Sequence, residues 1–234
     1  MEICRLEHIH KDYRMGETVT PLKDINITVN SGDFIAVEGP SGMGKSTLLY
    51  VIGTLLKADD GKIFFDGRDI SAMTDREQTT LRGEKIGFLF QDSSLIQALT
   101  LRENLEFAQT LGGKRKADPA KVDEMLDRVG LTERANFLPY QLSGGQRRRA
   151  MVARALIHSP DLILADEPTN DLDDVWAERV VSMLQEESQR GAAVVMVTHN
   201  TRWSACASSR YRLDDGVLLR QKEACTEERA ITSE

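Results

Sequence analysis

No stretch of this 234-residue chain approaches the roughly 18 consecutive apolar residues that a membrane-spanning helix needs. The opening residues, Met1 to Arg5, lack the basic-then-apolar pattern of a secretory signal. The expected compartment is therefore the cytosol, with membrane contact only through a partner. Cysteine is scarce: Cys4, Cys206 and Cys225 are widely spaced and form no Cys-x-x-Cys pair, which excludes a zinc framework and fits reduced thiols. Positive charge is not in excess either. With 30 Lys and Arg against 37 Asp and Glu, the formal charge is -7, which argues against a broad nucleic-acid footprint. No internal repeat or low-complexity segment is present. What remains is 41% hydrophobic and 29% charged, ordinary for a globular protein that buries one sizeable core or a core with a smaller lobe.

The chain opens with strand patterns at residues 3–9 and 22–29, then a turn and a short buried strand at 34–37. There follows Gly39-Pro40-Ser41-Gly42-Met43-Gly44-Lys45-Ser46, with Thr47 next, between a strand and a helix. This is the G-x-x-x-x-G-K-[ST] phosphate loop in its confirming context. Glycines let backbone N–H groups converge on phosphate oxygens, and the helix N-terminus adds partial positive charge. Lys45 is expected to reach the β- and γ-phosphates, and the Ser46 hydroxyl to ligate Mg²⁺. The helix after the loop carries Leu48, Leu49, Val51, Ile52, Leu55 and Leu56 on one face. A hairpin is expected over residues 62–67, a short helix over 74–81, and a strand over 86–90 that ends at Gln91.

Residues 92–142 show no strand pattern and read as an inserted helical lobe. Thr100 and Glu103 form a capping box for one helix, Asp118-Pro119 opens another that stops at Gly130, and Thr132 is expected to cap a further turn. Residues 112–116 read as a basic linker. Next comes Leu142-Ser143-Gly144-Gly145-Gln146, with Ser143 at a helix N-cap and two glycines exposing backbone donors. On the residues alone, this is equally a ligand-binding turn or a capped helix. Arg147, Arg148 and Arg149 are expected to pair partly with acidic neighbours, outside any site. The buried strand at 162–165 presents Asp166 and Glu167 at its carboxyl end, where open α/β sheets bind ligands. Asp173 is placed to cap a helix that reaches Gln189, and the strand at 193–197 ends at Thr198-His199. A closing hairpin turns at residues 214–216, and the polar tail from Gln221 is expected to be mobile.

The phosphate loop, Ser143-Gly144-Gly145-Gln146 and Asp166-Glu167, in this order, resemble the ATP-binding cassette (ABC) family, the ATPase subunits of membrane transporters. The resemblance runs from about residue 3 to about residue 220. It implies an α/β fold: a P-loop NTPase core with a mostly parallel sheet (residues 1–91 and 143–220), an N-terminal antiparallel β subdomain, a helical subdomain (92–142) and a tail (221–234). It also implies a set of roles. Tyr13 would stack on adenine, Gln91 would contact Mg²⁺ and the attacking water, and Asp166 would hold Mg²⁺ through its water shell. Glu167 would polarise that water or take its proton, and His199 would contact the γ-phosphate. Ser143, Gly144, Gly145 and Gln146 would hold the γ-phosphate of ATP bound to a second subunit. A homodimer sandwiching two ATP molecules follows, as does a transmembrane permease docking near residues 92–107. Residues 139–142 and 164–169 look like the subgroup of lipoprotein-release, macrolide-export and cell-division ATPases. Asn170-Asp171 stands where that subgroup has Gly-Asn, Arg147-Arg148 replaces a glutamine-containing pair, and Met43 is unusual. The expected cargo is a lipid, lipoprotein or hydrophobic compound; an importer ATPase or a non-transport cell-division or signalling ATPase are the alternatives.

Overall fold

The computed structural model describes residues 1–92, 94–111 and 116–221. Nearly all of the basic linker, the tail beyond Gln221 and Cys225 lie outside them. Strands β1 (Glu2–Met15) and β2 (Glu17–Asn30) form an antiparallel ribbon that turns at Gly16, whose φ is 85°. Both run well beyond the strands expected from apolar alternation. The pairing shifts register between Leu6 and Ile9, Ile9 and Lys11, and Lys11 and Tyr13. Such bulges break the period of two on which the expectation rests, while the ladder continues. Tyr13, expected between the strands, lies within β1 opposite Val19.

Strand β3 (Phe34–Glu38) leads through the phosphate loop into helix α1 (Lys45–Ile52). This helix is shorter than its apolar spacing suggests. It ends where Gly53 lies against the Phe88 ring and Thr54 turns with φ 58°, which leaves Leu55 46% exposed. Strands β4 (Asp60–Phe65) and β5 (Arg68–Asp69) meet in a tight turn with positive φ at Asp66 and Gly67. Together with the first ribbon they make an antiparallel sheet in the order β2-β1-β4-β5. Helix α2 (Asp75–Lys85) starts with a Thr74–Glu77 capping box and feeds β6 (Ile86–Leu89).

Helices α3 (Leu101–Thr110) and α4 (Pro119–Arg128) begin at the caps expected from sequence, Thr100 and Asp118. Thr132 does not cap; it is the first residue inside a 3-10 turn whose preceding residue, Leu131, offers no side-chain acceptor. The rest of the chain is α5 (Gly144–Leu156), β7 (Leu162–Asp166), α6 (Asp174–Gln189), β8 (Ala193–Val197), α7 (Thr201–Ser204), β9 (Ser209–Asp214) and β10 (Val217–Arg220).

The second sheet has the order β10-β9-β3-β8-β7-β6. All its neighbours are parallel except the β9–β10 hairpin. Alternation along β3 splits the core in two. Phe34 and Ala36 face the side built with Leu105, Leu126, Val152 and Leu184 of α3 to α6. Ile35 and Val37 face α1 and the antiparallel sheet, through residues such as Leu48, Ile52, Leu6 and Ile25. Sandwiching a mostly parallel sheet in this way brings the carboxyl ends of β3, β7 and β8 side by side, the place where such sheets bind ligands. Among the described residues, no helix is long and apolar enough to cross a membrane.

Candidate functional site

Backbone conformation makes the loop between β3 and α1 a cradle. Gly39 has φ 153° and stands against the Leu213 carbonyl, so closely that any Cβ would collide. Gly44, with φ 90°, would put a Cβ 2.8 Å from the Pro21 oxygen. Only glycine fits either position. Gly44 is also the cap of α1 and supplies no side-chain acceptor, so the first turn of that helix is left open. Lys45 Nζ folds back onto the loop and donates to the carbonyls of Gly39 and Pro40, each at 2.8 Å.

The loop faces a cavity of about 540 Å³. Ser41, Gly42 and Gly44 to Thr47 form its floor, and Gln91, Asp166, Glu167 and His199 converge on it from three other strands. Tyr13 and Val19, cross-strand partners on the long ribbon, form a side wall, with the Tyr13 hydroxyl 3.4 Å from Thr47 Oγ1. Gly39, Pro40 and Met43 lie outside the wall; the first two act through the carbonyls that hold Lys45. Asn170, which in the sequence stands out only as a departure from the subgroup, joins the wall. Ser143, Gly144, Gly145 and Gln146 are not part of it.

The two carboxylates at the end of β7 differ sharply. Asp166 is buried, and its Oδ2 has no hydrogen-bond partner among the described residues. Burial pushes its pKa above the usual carboxylate range and adjacent Glu167 adds to the rise, whereas a hydrogen bond from Ser46 and the charges of Lys45 and Arg148 pull it down. Glu167 adopts φ 48°, a left-handed conformation that a non-glycine residue holds only when its surroundings impose it. Here its N–H donates to Val197 O at 2.9 Å. Its Oε1 accepts from the His199 backbone N–H at 3.1 Å and from His199 Nδ1 at 2.8 Å, and Oε2 accepts from Thr198 Oγ1 at 3.3 Å. The end of β8 therefore holds the Glu167 carboxylate at three points.

Helix α5 starts in the opposite manner to α1. Ser143 Oγ accepts the Gln146 N–H at 3.2 Å and Gln146 Oε1 accepts the Ser143 N–H at 2.9 Å, a closed capping box. Gly144 and Gly145 lie under the 167–173 loop; a Cβ on Gly145 would meet the Asp171 carbonyl at 2.9 Å. Gly145 is thus needed for close packing inside the chain, whereas a Cβ on Gly144 would make only ordinary contacts with Asp171.

The ABC transporter family profile matches residues 22–170. This chain belongs to the ABC transporter family. As a member it is an ATP-hydrolysing cassette. A lipoprotein-releasing system ATP-binding protein, LolD, from Shewanella frigidimarina is 38% identical over 92% of this chain and 92% of its own length. The macrolide export ATP-binding/permease protein MacB from Syntrophobacter fumaroxidans is 38% identical over 93% of this chain, which spans 31% of that longer protein. Among solved structures, a dimeric post-hydrolysis state of the ATP-binding cassette MJ0796 bound to ADP and Pi superposes with a TM-score of 0.89 at 36% identity, covering 94% of this chain and 98% of that one.

Within this cassette, the unusual residues have physical homes. Asp171 holds φ 63°, a conformation that Asp and Asn tolerate better than other side chains, so moving Asn one position back keeps a suitable residue there. The three arginines after Gln146 address carbonyls rather than the acidic neighbours expected from sequence. Arg147 donates to Leu142 O at 2.5 Å, Arg148 to Phe90 O and Gln91 O at 2.8 Å, and Arg149 to Val129 O at 2.6 Å. Arg149 also stacks 3.9 Å above the Trp176 ring. The physical reason is burial: carbonyls at helix and strand ends need donors, and a guanidinium supplies several in one plane.

Proposed function

We propose that this cassette works as a homodimer closing around two ATP molecules, and that closure and hydrolysis drive a permease that exports or extracts lipids, lipoproteins or other hydrophobic compounds. The observation that carries the dimer is the make-up of the cavity. It contains the phosphate loop, both carboxylates and His199, yet the Ser143 turn contributes nothing to it. A second copy is the natural source of that turn. The names of the curated relatives, lipoprotein release and macrolide export, support the cargo class.

In this reading Tyr13 stacks on adenine, residues Gly39 to Thr47 wrap the phosphates, and Lys45 exchanges its two loop carbonyls for β- and γ-phosphate oxygens. Asp166, Ser46 and Gln91 offer carboxylate, hydroxyl and amide oxygens, and the orphaned Asp166 Oδ2 is free to accept a ligand. This hard-oxygen set suits Mg²⁺, which when bound neutralises charge on the phosphates. Glu167, fixed by the end of β8, takes the proton from the water that attacks the γ-phosphorus. His199, already bonded to Glu167, stands where it can turn its ring to the γ-phosphate. Residues 92–142 form the helical subdomain between the core segments 1–91 and 143–220. The permease docks near residues 92–107, beside an apolar groove of about 250 Å³ lined by Leu55, Phe88, Phe90 and Leu111. The working site is the cytoplasmic face of the membrane.

The test uses Glu167→Gln. Phosphate release falls by about 100-fold or more, the scale of a lost general base, while ATP still binds. With Mg-ATP, light scattering shows a mass twice the 26.2 kDa of the single chain. Hydrolysis at the parental rate would remove Glu167 from the mechanism, and an unchanged mass with nucleotide bound would remove the dimer.

A further inference from the structure

Four Asp, Glu, Lys or Arg side chains are buried among the described residues: Lys45, Arg148, Asp166 and Glu167. Three line the nucleotide cavity. The fourth, Arg148 on α5, lies outside the cavity wall and is 4% exposed. A charge is costly to bury unless its environment makes specific use of it.

Its contacts show that use. Nη1 donates to Phe90 O and Nη2 to Gln91 O, both at 2.8 Å. The first carbonyl belongs to the peptide plane before the Gln91 Cα and the second to the plane after it. One rigid planar fork on both carbonyls therefore sets φ and ψ at Gln91, and with them the direction of its Cα–Cβ bond. Further along the same helix, Arg154 donates to Ser94 O at 2.7 Å and to Ser94 Oγ at 2.9 Å. The segment after β6 is thus held to α5 at two places. Burial pushes the Arg148 pKa down, while Asp171, Asp166, Asp92 and Glu167 act to raise it, so the guanidinium keeps its charge. Lysine and glutamine carry their donors on a single nitrogen, so neither reproduces the two-nitrogen planar fork that fixes both peptide planes.

We infer that Arg148 is a positioning residue that aims Gln91 into the nucleotide cavity and makes it move with the helix that carries the Ser143 turn. This rests on the reading of the cavity as an ATPase site. It gives the chain a direct link between the site it contributes to its own nucleotide and the turn it contributes to its partner's. Displacement of α5 shifts both Gln91 carbonyl planes at once, through the Arg148 side chain alone.

The test is a double-mutant cycle on the full chain, with Arg148→Lys and Arg148→Gln each made in the parent and in Gln91→Ala. Steady-state hydrolysis, ATP affinity by equilibrium titration and Tm are measured for every variant. In the parent background, kcat falls about tenfold for either Arg148 variant, because misplacing a group near the reacting atoms costs rate. ATP affinity changes by less than about threefold, since the phosphate loop is untouched. In the Gln91→Ala background the further loss in kcat is below about twofold. An equal loss in both backgrounds would overturn the inference, because Arg148 would then act on packing and not through Gln91. Unchanged kcat in both Arg148 variants would overturn it as well. A parent chain that hydrolyses no ATP would instead sink the reading of the site itself.

Discussion

Two helices of this cassette begin at glycines, and they begin in opposite states. Helix α1 starts at Gly44 with no side-chain acceptor and opens onto the cavity of about 540 Å³. Helix α5 starts with Ser143 and Gln146 satisfying each other and lies outside that cavity. An uncapped helix end leaves its first amides in want of acceptors, a vacancy that a phosphate fills. A closed capping box is stable by itself, typically by about 1 kcal/mol over an uncapped start. The same division runs through the neighbouring residues. The cavity holds the unpaired Asp166 oxygen, unfavourable without a ligand, and the left-handed Glu167. The Ser143 turn holds nothing comparable. One region is built to bind within this chain, and the other is built to wait.

Two substitutions should therefore move stability in opposite directions. Asp166→Asn removes a buried carboxylate whose pKa is raised on folding. A raised pKa means that the native chain holds this proton more tightly than the unfolded one. Its contribution to stability is present at low pH and is lost as pH rises through the folded value. At neutral pH the asparagine variant should gain on the order of 1 kcal/mol, about 2–4 °C in Tm for a chain of this size, while hydrolysis falls by 100-fold or more, roughly the loss of a metal-holding group. The gain in Tm should shrink towards zero below about pH 3, where both states of the parent are protonated. A Tm at or below the parent at neutral pH would break the contrast.

Ser143→Ala sharpens the other side. Losing the cap costs about 1 kcal/mol and lowers Tm by about 2–4 °C. ATP affinity of the single chain, read by titration below the concentration at which it pairs, stays at the parental value. A matching fall in that affinity would place Ser143 in its own chain's site.

The parts legible from sequence are those carried by local patterns. The phosphate loop, the caps at Thr100, Asp118, Ser143 and Asp173, and the apolar strand before Asp166 are each written within a few consecutive residues. What was not legible depends on distant partners. Glu167 meets His199 across 32 positions, and Arg148 reaches Gln91 across 57. Neither contact leaves a periodicity that a single chain displays. The length of β1 was hidden because bulges interrupt its alternation, and the early end of α1 because Gly53 is set by the Phe88 ring from another strand. The one available signal for Arg148 was its departure from the family's glutamine-containing pair. A change from an amide to a cation beside a ligand-binding turn marks a place to look, though it does not give the contact.

In a homodimer of this kind the Ser143 turn of one copy completes the cavity of another. Mixing two inactive variants checks this completion in a single assay. Lys45→Ala disables the phosphate loop and Ser143→Arg blocks the turn, so neither homodimer has a working site. In the mixed dimer, the intact loop of the Ser143→Arg chain faces the intact turn of the Lys45→Ala chain. The mixture should hydrolyse ATP at a rate well above either variant alone. A mixture as inactive as its components would contradict it.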